Sequence, residues 1–163
     1  MKKQLLITTD LQSDVSKMLI NKEKILEFLK KNNVKRWVAE YLTPEMLDDR
    51  NFVLELVQID GGILKYVSSK LRDDDEIVIE AIKNSVLGFA FEFASPRLQE
   101  NKEITLMATN KSYTNLKYAS PVLKADIEFI KEAIKQDFNC LTYAEPRLRK
   151  KIMDDFFLTI NQK

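Results

Sequence analysis

Residues 116–123 read LKYASPVL, and a near copy, LTYAEPRL, follows at 141–148. FEFASPRL at 91–98 and LKYVSSKL at 64–71 are earlier versions of the same phrase. Aligning their aromatic residues, Tyr66, Phe93, Tyr118 and Tyr143, gives intervals of 27, 25 and 25 residues. A further step back reaches Tyr41 in EYLTPEML, making about five related units. A period of this length is the mark of a repeat architecture, in which each unit solves the same packing problem.

Each octapeptide ends in an apolar anchor: Met46, Leu71, Leu98, Leu123 or Leu148. Three residues later stands Asp49, Asp74, Asn101 or Asp126, and Asp154 is the expected counterpart in the last unit after a three-residue insertion. Asp and Asn are favoured helix N-caps because a side-chain oxygen accepts a bond from an unpaired amide of the first turn. Apolar pairs spaced four apart follow, as in Phe52, Val53, Leu56 and Val57, or Ile77, Val78, Ala81 and Ile82, or Phe129, Ile130, Ala133 and Ile134. That spacing makes one stripe on an α-helix. Ala81, Ala108 and Ala133 share a repeat position, where a small side chain lets a neighbour approach.

The octapeptide begins a shorter helix. Pro121 disfavours helical geometry at Ser120, so this helix ends there, or Ser120 caps a brief turn with Pro121 in its first position. Each unit is thus a short helix, a turn and a longer helix, with Leu123 plugging the gap before the next cap. Such a pair buries its apolar faces only by stacking on neighbours. The expected fold is all-α: an α-solenoid with terminal helical caps. Residues 1–163 form a single domain, with 1–32 as the N-terminal cap, striped by Ile25, Leu26 and Leu29, and 33–163 as repeats. Asn161 and Gln162 replace apolar positions of the internal units, as expected of an outer face.

Composition agrees. Hydrophobic residues are 45% of 163, while Gly and Pro number only 3 and 4, too few for a turn-rich all-β fold. Net charge is +1 with both signs interspersed, so no basic face of the kind that binds nucleic acid is announced. No stretch approaches the roughly 20 apolar residues of a membrane span, and the start lacks the features of a secretion signal. Cys140 is the sole cysteine, so no disulfide forms within the chain. A cytoplasmic location is the expectation.

There is no histidine. Histidine-dependent catalysis and histidine or thiolate metal sites are thereby excluded within one chain. The Asp73–Asp74–Asp75 run reads as helix capping rather than a metal site. Cys140 reads as a small buried residue, the tyrosines as packing groups, and Arg147, Arg149, Lys150 and Lys151 as a solvated turn. No catalytic residue, metal ligand or cofactor-binding residue is assigned.

The repeat resembles a bacterial and protist family known as domain of unknown function 4116. The resembling text is DDDEIVIEAIKNSVLGFAFEFASPRL and ADIEFIKEAIKQDFNCLTYAEPRL, with the likeness covering about residues 40–160. A leucine-rich-variant-like helical repeat is the weaker alternative. The resemblance implies no activity, cofactor or catalytic residue. Units of that family carry Gly before the aromatic phrase. Gly61 and Gly88 agree, five residues before Tyr66 and Phe93, and glycine there is expected to close the helix in the left-handed conformation. Tyr113 and Phe138 occupy the corresponding later positions, so those helices are expected to end differently.

A repeat with no embedded catalytic motif points to a non-enzymatic module that binds a protein or peptide. The alternatives are a carboxylate-based enzyme, with Mg²⁺ as its metal, and an RNA-binding helical repeat. Candidate partner-binding residues are the aromatics outside the repeat pattern: Trp37, Tyr113 and Phe138.

Overall fold

The computed structural model describes residues 21–32, 39 and 41–160. Among these the chain is all-α, with no strand. Helix α1 (Lys22–Asn32) buries Ile25, Leu26 and Leu29, the stripe expected of the N-terminal cap. Four helices of ten residues follow at the repeat period: α2 (Arg50–Ile59), α3 (Asp75–Asn84), α5 (Lys102–Lys111) and α7 (Ile127–Gln136). Each is followed by a 3₁₀ helix: η1 (Gly61–Lys65), η3 (Val86–Phe93), η4 (Tyr113–Tyr118) and η5 (Phe138–Tyr143). Short turns lead from these to the next cap: η2 (Leu71–Asp73), α4 (Pro96–Gln99) and α6 (Pro121–Ala125). The chain closes with α8 (Pro146–Ile160).

The four expected caps are all in place. Asp49, Asp74, Asn101 and Asp126 are extended, and their side chains accept from the amides of Phe52, Ile77, Ile104 and Phe129. Both readings of how the octapeptide breaks hold together, although its short helix begins three residues before it, at Tyr113. Its first half ends a 3₁₀ helix at Ala119, and Ser120 then caps a second helix that starts at Pro121. The stripe of α2 and α3 is buried throughout, and Ala81, Ala108 and Ala133 are all inaccessible. Leu71, Leu98, Leu123 and Leu148 are buried plugs, whereas Met46 is half-buried and Tyr41 exposed. The first unit is therefore the degenerate one.

Long helices of successive units pack on one another, α2 on α3, α3 on α5 and α5 on α7, while the 3₁₀ helices pack in the same order beside them. This two-row arrangement is compatible with the expected solenoid. A backbone rung recurs at every junction. The amides of Ser68, Ser95, Ser120 and Glu145 donate to the carbonyls of Leu47, Arg72, Gln99 and Lys124 at 3.1, 2.9, 3.0 and 2.9 Å. The rung satisfies polar groups that would otherwise be lost between units, and no side-chain pattern announces it.

A second ladder is ionic. The first residue of one long helix reaches the N-cap of the next: Lys22 to Asp49 at 2.5 Å, Arg50 to Asp74 at 2.8 Å and Lys102 to Asp126 at 2.6 Å. The unit that carries an acid at this register, Asp75, is followed by the uncharged cap Asn101. Two carboxylates are thus kept from meeting. Asp73 and Asp75 pair instead with Arg97 at 2.9 and 2.7 Å, so the acidic run is accounted for by capping and ion pairing.

Asp74 tests this device. Burial pushes its carboxyl up, but the Arg50 guanidinium and the Ile77 amide outweigh that and hold it below the ordinary aspartate value of 3.8. A depressed folded value gives stability that is full above the unfolded value and is lost as pH falls through the folded one. Asp74→Ala should therefore cost about 1 kcal/mol at neutral pH through the lost cap. In urea melts at strongly acidic pH the gap between variant and wild type should close.

One cap expectation fails. Asp154 lies exposed inside α8 and caps nothing. The register three residues after Leu148 is occupied by Lys151, which has no acceptor oxygen. The stretch RLRKKIMDD contains no helix breaker, so the turn after Pro146 runs on as one fifteen-residue helix.

Candidate functional site

The units end their long helices in one common way, and the second departs from it. Asp60, Ser112 and Asp137 each terminate a long helix and cap the following 3₁₀ helix. Their side chains accept from the amides of Gly62, Thr114 and Asn139. Ser85 holds the same place, but its hydroxyl donates to the Ile82 carbonyl and accepts from the Ala90 amide, five residues on. The two additional residues of the 27-residue interval are taken up between these points. Leu87 (φ 52°) and Gly88 (φ 73°) are consecutive left-handed residues, and Leu87 is the one non-glycine with positive φ among the described residues.

This corrects the expectation for the glycines. Gly61 is not left-handed; its role is close approach, since a Cβ there would stand 1.9 Å from the Ala81 carbonyl oxygen. Gly88 does adopt the left-handed conformation, but three residues after the helix-ending serine. Neither Tyr113 nor Phe138 has positive φ, but α5 and α7 end as α2 does before Gly61, on a Ser or Asp cap, so the expected difference from that unit is not found and only the Gly88 unit departs.

The left-handed pair turns three large apolar side chains outward. Val86, Leu87 and Phe89 are 69%, 52% and 44% exposed. A leucine in this conformation is strained, so the surroundings must hold it. Asn115 does so from a fully buried position: its Nδ2 donates to the Leu87 carbonyl at 2.7 Å and to the Ala108 carbonyl at 2.8 Å. The equivalent positions in the first and last full units are Ile63 and Cys140, both buried. An amide replacing an apolar group in the core is costly unless it is bonded. Its two Nδ2 bonds at this site fix the knuckle, while its Oδ1 is buried without a partner. Lys111 adds a second brace, its ammonium donating to the carbonyls of Lys83 and Ser85. Gly88 suits the position in two ways: its φ is one that side chains rarely adopt, and a Cβ there would lie 3.0 Å from Asn115 Nδ2.

Beside the knuckle lies a cleft of about 170 Å³, walled by Tyr66, Val86, Phe89 and Phe93 with Lys65 at its rim. The Lys65 ammonium rests 5.6 Å from the Tyr66 ring centroid.

The aromatics singled out from sequence fall in different surroundings. Trp37 lies outside the described residues. Tyr113 is half-buried against the C-terminal core, its ring 6.3 Å from that of Tyr143 at 37°. Phe138 is 49% exposed and borders a groove of about 790 Å³ along α7 with Lys102, Glu128, Lys131, Glu132 and Lys135. The knuckle itself, Val86–Phe89, was not among the expected site residues. Two signals marked it: the 27-residue interval and a polar Asn115 in an otherwise apolar column.

The remaining candidates lie away from the knuckle. Cys140 is buried, and its thiol is pushed up to about 11 by burial and by the nearby Asp137 carboxylate. Thiolate chemistry at neutral pH is correspondingly suppressed. Arg147 and the two lysines of the basic run are exposed on α8 around the buried Leu148 and Ile152. Among the described residues no cluster of three or more Cys, Asp or Glu could hold a metal ion, and no helix is long and apolar enough to cross a membrane.

A family model described as "Domain of unknown function (DUF4116)" matches three segments, residues 49–99, 87–121 and 101–149. The chain belongs to this family. The first and third DUF4116 segments open on the N-caps Asp49 and Asn101, so the boundaries of the matched repeats coincide with the physical start of a unit. The second opens at Leu87, inside the knuckle. No curated protein and no solved structure matches.

Proposed function

We propose that the protein is a non-enzymatic module that binds a protein or peptide through the knuckle at Val86–Phe89. One observation carries this reading. Three large apolar side chains are displayed on strained backbone, and a buried amide is spent on keeping them there. Exposed apolar groups cost solvation, and strain of this kind persists where the surroundings over-determine it. Pre-organised apolar anchors also lose little entropy on binding.

The test is capture from native lysate with the full chain and with the double variant Val86→Ser/Phe89→Ser. Both residues are exposed, so the variant should keep the wild-type circular dichroism and melting curve. Wild type should recover a stoichiometric partner and the variant should lose it. Equal recovery by both would move the interface elsewhere, and turnover of a small molecule without any partner would refute the module reading.

A further inference from the structure

We infer that the outward face of α7 is a contact between two copies of this chain, paired antiparallel about a two-fold axis. The contact goes beyond the binding-module reading and does not depend on the knuckle.

α7 is the last ten-residue helix of its row, and among the described residues no helix packs along its outer edge. Two repeat positions show what is missing there. Val57, Ile82 and Thr109 are buried at the first, where Ile134 is only half-buried. Leu54, Ile79 and Leu106 are half-buried at the second, and Leu106 packs on the C-terminal core; α7 carries the exposed Lys131 instead. A charged edge turns away a further ordinary unit, as a terminal repeat must. It does not turn away a surface that offers Lys131 an acid. Phe138, 49% exposed, borders the groove beside it.

α7 supplies that acid itself. Its outward side chains run Glu128, Lys131, Glu132, Lys135. A two-fold axis between residues 131 and 132 sets each Glu128 against the other copy's Lys135, and each Lys131 against the other copy's Glu132. No like charges meet. Glu132 and Lys135 make no ion pair among the described residues. Glu128 holds Lys131 at 3.2 Å in solvent, and Lys102, the other cation of the groove, is neutralised by Asp126 at 2.6 Å. The same axis brings Phe138 to the start of the other helix, at the exposed Ala125 and half-buried Ile127. Exposed ion pairs add little affinity; they set register and exclude other pairings, while the apolar contacts supply the attraction. A patch complementary to itself is what a two-fold dimer requires. The helix face is only about 15 Å long, so the dimer is weak and depends on concentration.

Sedimentation equilibrium of the full chain, up to about 1 mM, tests the pairing. Wild type should pass from monomer to dimer and stop there. Glu128→Lys/Glu132→Lys and Lys131→Glu/Lys135→Glu should each stay monomeric. All four side chains are exposed, so both variants should keep the wild-type circular dichroism. An equimolar mixture of the two should form a one-to-one heterodimer. Phe138→Ser should weaken wild-type pairing at least about tenfold, a difference of about 1.4 kcal/mol. A wild type that stays monomeric throughout would overturn the assignment. So would a mass that grows past the dimer, as in head-to-tail stacking, or a mixture of the charge-reversed variants that fails to pair.

Discussion

Gly61→Ala is expected to destabilise the protein by about 3 kcal/mol or more, at the upper end of overpacking costs. The added methyl would stand 1.9 Å from the Ala81 carbonyl oxygen, 2.7 Å from its carbon and 2.8 Å from the Ser85 nitrogen. All three are backbone atoms at the end of α3, and none can swing away as a side chain could. Accommodating the methyl requires η1 to part from α3, which opens the junction filled by Ile63, Leu64 and Ile82, each essentially inaccessible. The sign of the effect is itself decisive. Gly61 has no positive φ, so if the units could separate freely, alanine would stabilise by about 0.4–1 kcal/mol by restricting the unfolded chain. Urea unfolding followed by circular dichroism distinguishes the two outcomes, and an unchanged or raised midpoint would show that the close approach is not rigid.

Leu123→Ala should cost roughly 2–5 kcal/mol, the range for emptying a buried leucine site. Leu123 is 2% exposed and belongs to the C-terminal core with Leu116, Phe129 and Ile130. Its backbone is pinned independently of its side chain. Its amide donates to the Ser120 hydroxyl at 3.3 Å, and its carbonyl accepts from the Asp126 amide at 3.1 Å. The plug's surroundings therefore cannot collapse far, and a cavity should remain. Val122 supplies the control: it is adjacent in sequence but 61% exposed, so Val122→Ala should stay within about 0.5 kcal/mol of wild type. Equal losses from the two substitutions in thermal melts would mean that the anchor position was misidentified.

Much of the fold was readable because each unit repeats the same short-range chemistry. The caps at Asp49, Asp74, Asn101 and Asp126 follow from spacing, and so do the plugs at Leu71, Leu98, Leu123 and Leu148. Asp154 matches the cap spacing only through an insertion, and the preceding helix has no reason to stop before it. The aromatics at 113 and 138 stand where other units carry glycine, yet one packs on Tyr143 and the other borders a groove of mixed charge. A substitution pattern reports that a position differs and is silent about the face on which the difference appears.

The amino-acid sequence by itself determined the unit: a capped longer helix, a break near the aromatic phrase, an apolar plug and the family to which the repeat belongs. These are local matters, decided by which side chains can satisfy a helix end and which can form a stripe within some 25 residues. Only the tertiary structure decided the junctions: the backbone rung from Ser120 to Gln99, the contact of Gly61 with Ala81, and the grip of Asn115 on Leu87 across 28 residues. Those depend on distances between units, and a two-residue insertion becomes an exposed knuckle only when the neighbouring repeat supplies the buried amide that holds it.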